Sequence, residues 1–538
     1  MKLFNSVAKW TITQNQVKIL TILLIVIITA VPLLMQYPFN INIFLAWEGA
    51  YRISLGQIPS IDFYLPMGFV FWILPGLFFK IFGPNLFTLI IFQSFVNLIT
   101  FLSFGYILRL LKVNYYAIFL SSLVLGLSYV LLNFWPWYNN FVFVLQLISL
   151  MFLLMARASL VPIKKTIYLI IAAGFSVFAF FTKQDAGGLT ILLNCTLVLY
   201  LSLHNKDFKQ IIVFIGSLAI WTMPFTLPFL NSDISYWFNY GQAPHYSRLS
   251  ALTYLNELFR SSHEIKFYIL IIVFLALNKY SSVKELIKSE RNFVFFILIL
   301  GLLFQSSVIQ VTSYIPHYSH YYIHGFAFAY ILSEINIEKW ANKISAFALI
   351  TLLTVFLWSS DTWKYGLRIG KKILPDSLFE IQENVVSKNT WLKGEESVFD
   401  NRSTWRLSNF KTMKNIYLPP GTSSGMERFI EKYKGLDNLK VLNMSELTML
   451  AAEIGYTPLT DHPLWFHKNV AIFDKQIAEI CNNIVQHKYD VVLFESIPIL
   501  NGFYPEELHQ CLKEHYQLVD EFRAPRREKN ATIFVYQK

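Results

Sequence analysis

A series of long apolar runs dominates the first 360 residues and constrains the fold more than any other feature of the sequence. A run of about 20 mainly apolar residues is long enough to cross a bilayer as a helix. Because 55% of the residues are hydrophobic and only 15% are charged, the chain is more apolar than one soluble core requires. The sequence predicts a polytopic α-helical membrane protein with about eleven transmembrane helices, in the runs 17–36, 86–111, 116–134, 141–156, 167–181, 189–203, 211–230, 267–277, 293–311, 321–332 and 344–358.

Basic residues predict the orientation of these helices, because short cytoplasmic loops carry an excess of Lys and Arg. With the N-terminus inside, Lys/Arg clusters recur after every second run, at 109–112, 164–165, 206–209, 279–291 and 339–343. The opposite loops and everything after Trp358 are then outside, in a multi-pass protein of the cell inner (cytoplasmic) membrane. The first run has no cleavage site behind it and is expected to remain as an anchor. The basic pI of about 9.2 reflects this topology, and no nucleic-acid-binding motif is present.

Near residue 360 the composition changes to mixed, charged sequence with period-two and amphipathic segments. We therefore predict a transmembrane domain over 1–360 and a soluble, extracytoplasmic α/β domain over 361–538. The predicted strands are 397–399, 439–442, 490–494, 517–521 and 531–536, and the predicted helices are 425–433, 445–454, 475–487 and 505–515. An oxidising exterior permits a disulfide between Cys481 and Cys511, but two thiols do not establish one.

Two carboxylates, Glu48 and Asp62, lie in the segment 42–63, which we predict to be a loop directly after the first span. Carboxylates held at a membrane surface are costly and usually functional. In a group transfer to a hydroxyl, a carboxylate accepts the proton of the attacking group. We therefore predict catalytic roles for Glu48 and Asp62. Alternatively, Asp62 caps the following helix or accepts hydrogen bonds from loop amides.

The turn Lys183-Gln184-Asp185, followed by two glycines, is predicted to emerge on the outside. A Lys there can bind a phosphate, Gln can hydrogen-bond a sugar, and glycines allow a backbone to approach closely. The alternative is an ordinary charged turn whose Lys/Asp pair contributes little.

A second cluster of candidate phosphate ligands is His317, Tyr318 and His320, one turn before His324. These side chains can bind phosphate or pyrophosphate, or complete a metal site with carboxylates. Alternatively, they form an aromatic belt at the membrane interface. Arg248 in the long loop 231–266 is a further candidate clamp for phosphate, although a solvated loop charge is the simpler interpretation. No metal ligand is assigned, and any cofactor is left open.

Taken together, the acidic first external loop GQIPSIDFYLPMG, the apolar run closing on IFG, the TKQDAGG turn and the C-terminal α/β domain resemble the GT-C fold glycosyltransferases. More narrowly, the sequence resembles the bacterial branch related to protein O-mannosyltransferases and aminoarabinose lipid A transferases, over residues 42 to about 332. The resemblance implies inverting transfer of a sugar from a polyprenyl-phosphate donor to a lipid, glycan or protein acceptor at the outer membrane face. It also implies an acid of the first external loop as base. Either Asn42 stands at the position of the first family Asp, so that Glu48 must supply the base or the protein is impaired, or Glu48 is itself the family acid.

Two other classes of protein share some of these features. A lipid-linked glycan ligase or polymerase performs related chemistry, but we expect its key Arg and His in a large external loop. A transporter or flippase is expected to show inverted repeats and charges near the bilayer midplane. The charged groups here cluster at the predicted external rim, so the glycosyltransferase ranks first. We expect its pocket between the first external loop and the rim of the fifth and tenth spans; the sugar, the acceptor and the oligomeric state are not predicted.

Overall fold

The computed structural model describes residues 10–37, 41–128, 134–232, 250–260, 263–313, 321–359, 404–498 and 502–538, with short pieces between 362 and 375. The chain divides into two compact units. One contains the described residues of 1–34, 93–231 and 245–363, and the other contains those of 35–92, 232–244 and 364–538. The predicted domain boundary at residue 360 stays a prediction.

The described residues of the N-terminal two thirds of the chain are mainly helical. In chain order the helices are α1 (Gln14–Ala30), α2 (Ile41–Ser54), α3 (Val70–Phe82), α4 (Leu86–Leu110), α5 (Tyr115–Ser128), α6 (Tyr138–Ala158), α7 (Pro162–Phe180), α8 (Gln184–His204), α9 (Lys209–Thr226), α10 (Ala251–Arg260), α11 (His263–Lys279), α12 (Val283–Lys288), α13 (Glu290–Ser313), α14 (Tyr321–Glu334), α15 (Glu338–Ala341) and α16 (Ile344–Leu357). Short 3₁₀ turns extend α1 and α9, over Val31–Leu34 and Leu227–Phe229.

In the described part of the chain, seven helical stretches are long and apolar enough to cross a membrane: Gln14–Leu34, Leu86–Leu110, Tyr138–Ala158, Pro162–Phe180, Gln184–His204, Lys209–Phe229 and Glu290–Thr312. Four further runs that we predicted as spans, 116–134, 267–277, 321–332 and 344–358, overlap the shorter helices α5, α11, α14 and α16. The prediction of a polytopic α-helical membrane protein is confirmed.

Buried polar side chains join the helices of the first unit. Asn194 on α8 donates hydrogen bonds to Ser149 on α6 (2.8 Å) and to Ser176 on α7 (2.9 Å). Gln146 on α6 donates to Gln305 on α13 at 2.7 Å. Hydrogen bonds of this kind stabilise helix bundles in membranes, because the burial of apolar surface does not drive helices together in lipid.

Charged residues at helix ends show which ends of the first unit lie together. Arg157 at the end of α6 pairs with Glu290 at the start of α13 (2.7 Å), and His204 at the end of α8 lies 4.0 Å from the same carboxylate. Lys165 at the start of α7 pairs with Asp207, just after α8, at 3.0 Å. These are ends that we predicted to share the cytoplasmic side, so their common location agrees with the predicted alternation. Which membrane face they occupy stays a prediction.

The C-terminal part forms a four-stranded mixed sheet with the order β4-β6-β8-β7. Strand β4 pairs in parallel with β6, and β8 is antiparallel to both β6 and β7. Shorter strands pair outside this sheet: β1 with β5 in parallel, and β2 with β3 in antiparallel. The bounds are β1 (Phe63–Tyr64), β2 (Arg406–Leu407), β3 (Tyr417–Leu418), α17 (Pro420–Tyr433), β4 (Val441–Met444), α18 (Leu450–Ile454), β5 (His462–Pro463), α19 (Asp474–Val485), β6 (Val491–Ser496), α20 (Glu506–His515), β7 (Gln517–Arg523) and β8 (Thr532–Gln537).

The predicted α/β domain is confirmed, since four predicted strands and four predicted helices overlap observed elements. The predicted strand 397–399 lies outside the described residues. Helices α19 and α20 pack on the sheet and are joined by a disulfide between Cys481 and Cys511, whose Cα atoms are 6.0 Å apart.

The prediction of a loop over 42–63 is wrong, because residues 41–54 form the helix α2. Buried Phe44, Trp47 and Tyr51 recur at helical spacing, and the rings of Trp47 and Tyr51 stack at 4.7 Å. Only the part after Ser54 is irregular, and it ends in β1, where Phe63 pairs with His462 of β5. Glu48 is therefore fixed on a helix.

Candidate active site around Glu48

Glu48 lies on the buried face of α2, with 8% of its surface exposed. One helical turn later, Arg52 donates two hydrogen bonds to the same carboxylate oxygen, from Nε at 3.0 Å and from Nη2 at 2.8 Å to Oε1. Among the described residues, no hydrogen bond reaches the other oxygen, Oε2. The carboxylate is therefore held at one oxygen and available at the other.

Arg52 is itself fixed by groups outside its helix. Its Nη1 donates to the backbone oxygen of Leu459 at 2.7 Å and to Oε1 of Gln57 at 3.1 Å. Gln57 in turn donates to the oxygen of Pro458 at 2.8 Å. The guanidinium carbon lies 5.4 Å from the centre of the Phe63 ring. This network positions Glu48. It also connects α2 to residues 458–459, and this structural role does not depend on any chemistry at Glu48.

Burial raises the pKa of Glu48, and the charge and hydrogen bonds of Arg52 oppose that rise without cancelling it. A carboxylate with a raised pKa is a stronger proton acceptor than a solvated one. The hydrogen bonds from Arg52 engage Oε1 alone, so Oε2 can take up a proton without displacing them.

Two adjoining cavities meet at Glu48. The first has a volume of about 350 Å³ and its polar wall contains Asn443, Tyr456 and His462. The second has a volume of about 360 Å³ and is lined by Glu446 and by several aromatic rings. Glu48, Asn443, Thr448 and Phe466 line both. All of these residues belong to the second unit, so the cavities of Glu48 are built from α2 and the C-terminal domain.

His462 in the first cavity has a defined hydrogen-bonding state. Its Nδ1 lies 2.6 Å from the oxygen of Thr460, and its Nε2 lies 2.8 Å from the hydroxyl of Tyr489. A carbonyl oxygen only accepts, so Nδ1 carries a proton and, in the neutral ring, Nε2 accepts from Tyr489. Burial lowers the pKa of His462, which favours this neutral form.

Asp62, the second predicted catalytic carboxylate, holds its own loop. Its Oδ2 accepts a hydrogen bond from the backbone amide of Ile58 at 2.6 Å. Asp62 is not among the residues that line the two cavities of Glu48. This contact matches the alternative in which Asp62 satisfies loop amides, and a catalytic role for Asp62 stays a prediction.

The predicted phosphate-binding turn lies at the start of α8 in the first unit. Lys183 pairs with Asp185 at 2.9 Å, and Thr312 at the end of α13 donates to the same Asp185 oxygen at 2.6 Å. Gln184 is the first residue of α8. A Cβ at Gly187 would come within 2.3 Å of the Phe180 backbone, so this glycine is required for close packing on α7. Phosphate binding by Lys183, Gln184 and Asp185, and a site that they share with Glu48, stay predictions.

The other predicted phosphate ligands, Arg248, His317, Tyr318 and His320, lie outside the described residues. His324 is described; it is buried, and its Nδ1 lies 2.8 Å from the hydroxyl of Tyr268. Among the described residues, no group of three or more His, Cys, Asp or Glu side chains is placed to hold a metal ion.

Sequence reasoning missed several charged residues of the site. Arg52 could have been found, because a Glu and an Arg four residues apart face each other on a helix. Glu446, Glu495 and Arg526 also meet in a buried cluster beside the second cavity. They are 31 to 80 positions apart in the chain, and only the pairing of β4, β6 and β8 brings them together.

No family model and no curated protein matches the sequence. Among solved structures, the chain is similar to ArnT from Cupriavidus metallidurans in the apo state, with a TM-score of 0.48 and 11% identity over 96% of this chain and 97% of that one. It is also similar to the same protein bound to undecaprenyl phosphate, with a TM-score of 0.45 and 10% identity over the same shares. ArnT is an aminoarabinose lipid A transferase with a GT-C fold, the group that the sequence resembles. With TM-scores below 0.5 this likeness carries no argument, and the activity has to be inferred from the chain's own residues.

Proposed function

We propose that the chain is a membrane glycosyltransferase that moves a sugar from a polyprenyl-phosphate donor to a lipid, glycan or protein acceptor at the outer face of the cytoplasmic membrane. The observation that carries this proposal is the Glu48 carboxylate, held through Oε1 by Arg52 and available through Oε2 beside two cavities. A fixed, buried carboxylate is the group that such a transfer requires as a base.

In the proposed reaction the acceptor hydroxyl oxygen attacks the anomeric carbon of the donor sugar. The new carbon–oxygen bond forms as the bond from that carbon to the phosphate oxygen breaks, and the polyprenyl phosphate leaves with the electron pair of the broken bond. The hydroxyl proton passes to Oε2 of Glu48. Attack from the side opposite the leaving group inverts the anomeric configuration.

The leaving phosphate requires a cation or hydrogen-bond donors. Lys183 is our candidate for that role, together with Gln184 and the residues at 248 and 317–320. Its present partner, Asp185, is also held by Thr312, so Asp185 stays hydrogen-bonded when Lys183 turns to a phosphate.

Two independent observations support the assignment of the reaction to the outer side of the membrane. The Lys/Arg distribution predicts that the C-terminal domain is outside. The Cys481–Cys511 disulfide within that domain is of a kind that persists in oxidising compartments.

The test is a transfer assay with membranes that contain the chain and a panel of polyprenyl-phosphate sugars labelled in the sugar. We expect label from one donor to enter an acceptor fraction, and we expect membranes with the Glu48→Gln variant to lose this incorporation. Absence of transfer from every donor would contradict the proposal, as would label that reaches the lumen of vesicles still attached to its polyprenyl carrier, since that result identifies a flippase.

A further inference from the structure

One side of helix α10 packs on two neighbouring helices of the first unit. The hydroxyl of Tyr254 lies 3.0 Å from that of Ser307 on α13, and the Tyr254 ring meets the ring of Phe304 edge-on, with centres 6.4 Å apart. Nζ of Lys266, in the first turn of α11, donates to the backbone oxygen of Phe259 at 2.9 Å. Helix α10 is therefore fixed against both α13 and α11.

Another side of α10 presents large apolar side chains outward. Leu252, Leu255 and Phe259 are 70%, 47% and 70% exposed, and their spacing of three and four residues places them on one face. The exposed polar residues Thr253 and Arg260 lie on an adjoining face. A helix that separates apolar from polar residues in this way fits a boundary between an apolar medium and water.

The contact with Ser307 shows where α10 lies along the bundle. Helix α13 begins at Glu290, which pairs with Arg157 at one end of the bundle. Ser307 follows Glu290 by 17 residues, which corresponds to a rise of about 25 Å along a helix. The hydrocarbon core of a bilayer is about 30 Å thick. Helix α10 therefore lies near the membrane surface opposite the Arg157–Glu290 pair.

The apolar face of α10 continues into the apolar outer surface of its neighbours. Phe267, Leu270 and Phe274 of α11, which coincides with a predicted span, are spaced three and four residues apart and are largely exposed. The backbone of Phe259 is bonded to the residue just before Phe267. Phe304, on the span α13, is also exposed. Large contiguous apolar surfaces of this kind mark contacts with a membrane or with a partner.

The charges around α10 balance one another. Glu257 and Glu264 are matched by Arg260 and Lys266 over this short stretch of sequence. Attraction to anionic lipids therefore does not decide where the helix binds. Its membrane contact has to come from the apolar area that the helix presents.

We propose that α10 is an interfacial helix whose partner is the lipid bilayer. Leu252, Leu255 and Phe259 insert among the acyl chains at the membrane surface, while Thr253 and Arg260 contact water and headgroups. A part of the chain that the sequence places in a long external loop is thus bound to lipid. The inference does not depend on the proposed transfer, because an interfacial helix makes the same contacts in a transporter.

Spin labelling measures the depth of each face of α10. The full chain, with Cys195→Ser and its disulfide intact, is placed in nanodiscs of zwitterionic phosphatidylcholine. A nitroxide is attached to Leu255→Cys, Phe259→Cys or Thr253→Cys in separate samples. All three positions are exposed, so the labels leave the packing on α13 in place.

Power saturation then gives the collision rates of each nitroxide with oxygen, which concentrates in lipid, and with a water-soluble nickel chelate. Two reference positions calibrate the depth scale. Phe274→Cys, on the exposed apolar face of α11, is the lipid reference, and Lys488→Cys, at an exposed position of the C-terminal domain, is the aqueous reference.

Labels at Leu255→Cys and Phe259→Cys should collide mainly with oxygen, at a depth of about 5–10 Å into the boundary between headgroups and acyl chains. The label at Thr253→Cys should collide mainly with nickel. Dominant nickel collisions at all three positions would overturn the inference, because α10 then lies in water. Protection of Leu255→Cys from both reagents would also overturn it, since another segment of the chain or a second copy then covers this face. No donor or acceptor enters the measurement, so its outcome is separate from that of the transfer assay.

Discussion

Arg52 gives both of its hydrogen bonds with Glu48 to a single oxygen, Oε1, at 3.0 and 2.8 Å. A bidentate pair would have engaged both carboxylate oxygens, and this arrangement leaves Oε2 beside the cavities. Because Nη1 of the same guanidinium is held by Leu459 and Gln57, Arg52 cannot shift to the second oxygen without breaking those contacts. The orientation of Glu48 is thus set by residues that do not themselves have to touch a substrate.

Replacing Arg52 by Gln should destabilise the chain, since it leaves the Glu48 carboxylate buried without its cation. Breaking a buried pair in this way costs about 3–5 kcal/mol. The midpoint of thermal unfolding in detergent measures the effect. The matched control is Arg428→Gln, because Arg428 is mostly exposed and its pair with Asp520 is worth about 1 kcal/mol or less. Equal midpoints for the two variants would show that Arg52 does not hold Glu48.

Lys183→Ala should raise the apparent KM for the polyprenyl-phosphate donor, because a cation for the leaving phosphate is lost. Lys183→Arg should restore part of the affinity, since the charge is retained while its geometry changes. Steady-state rates at varied donor concentration measure the donor KM of both variants. Arg248→Ala should raise this KM less than Lys183→Ala does. If donor KM were unchanged in Lys183→Ala while Arg248→Ala abolished binding, the phosphate site would belong to the long loop and a ligase or polymerase would become the better hypothesis.

The predicted topology places Lys284 in the cytoplasm and the C-terminal domain outside. Cysteines introduced at Lys284 and at Lys488, both exposed positions, report these sides. In intact cells a membrane-impermeant maleimide should label Lys488→Cys and should label Lys284→Cys only after permeabilisation. The reverse pattern would invert the orientation and remove the outer-face assignment of the reaction.

Local pattern was sufficient to predict most of the C-terminal domain. The period-two segment ending at Tyr536 and the buried apolar segment at 490–494 became β8 and β6, because each pairs along a continuous stretch of chain. Helices α19 and α20 were predicted within two residues at each end, since their apolar faces and their ends are encoded within the segments themselves.

Helix α2 was not predicted. Its segment contains a glycine and charged residues soon after an apolar run, and this composition is typical of a loop. The second cavity also could not be predicted from the sequence. Its carboxyl group at Glu446 meets Arg526 only through the order of strands in a mixed sheet, and a single sequence does not encode that order in any local pattern.

The most direct test of the central claim is the transfer rate of Glu48→Gln at saturating donor and acceptor. Gln keeps the shape of the side chain but cannot accept the proton, so turnover should fall about 10²- to 10⁴-fold while donor binding is nearly retained. Glu431→Gln, at an exposed position on α17, is the control and should transfer sugar at the unaltered rate. Near-normal turnover in Glu48→Gln would contradict the account and remove Glu48 from the mechanism, leaving Asp62 or Asp185 as the carboxylate to examine.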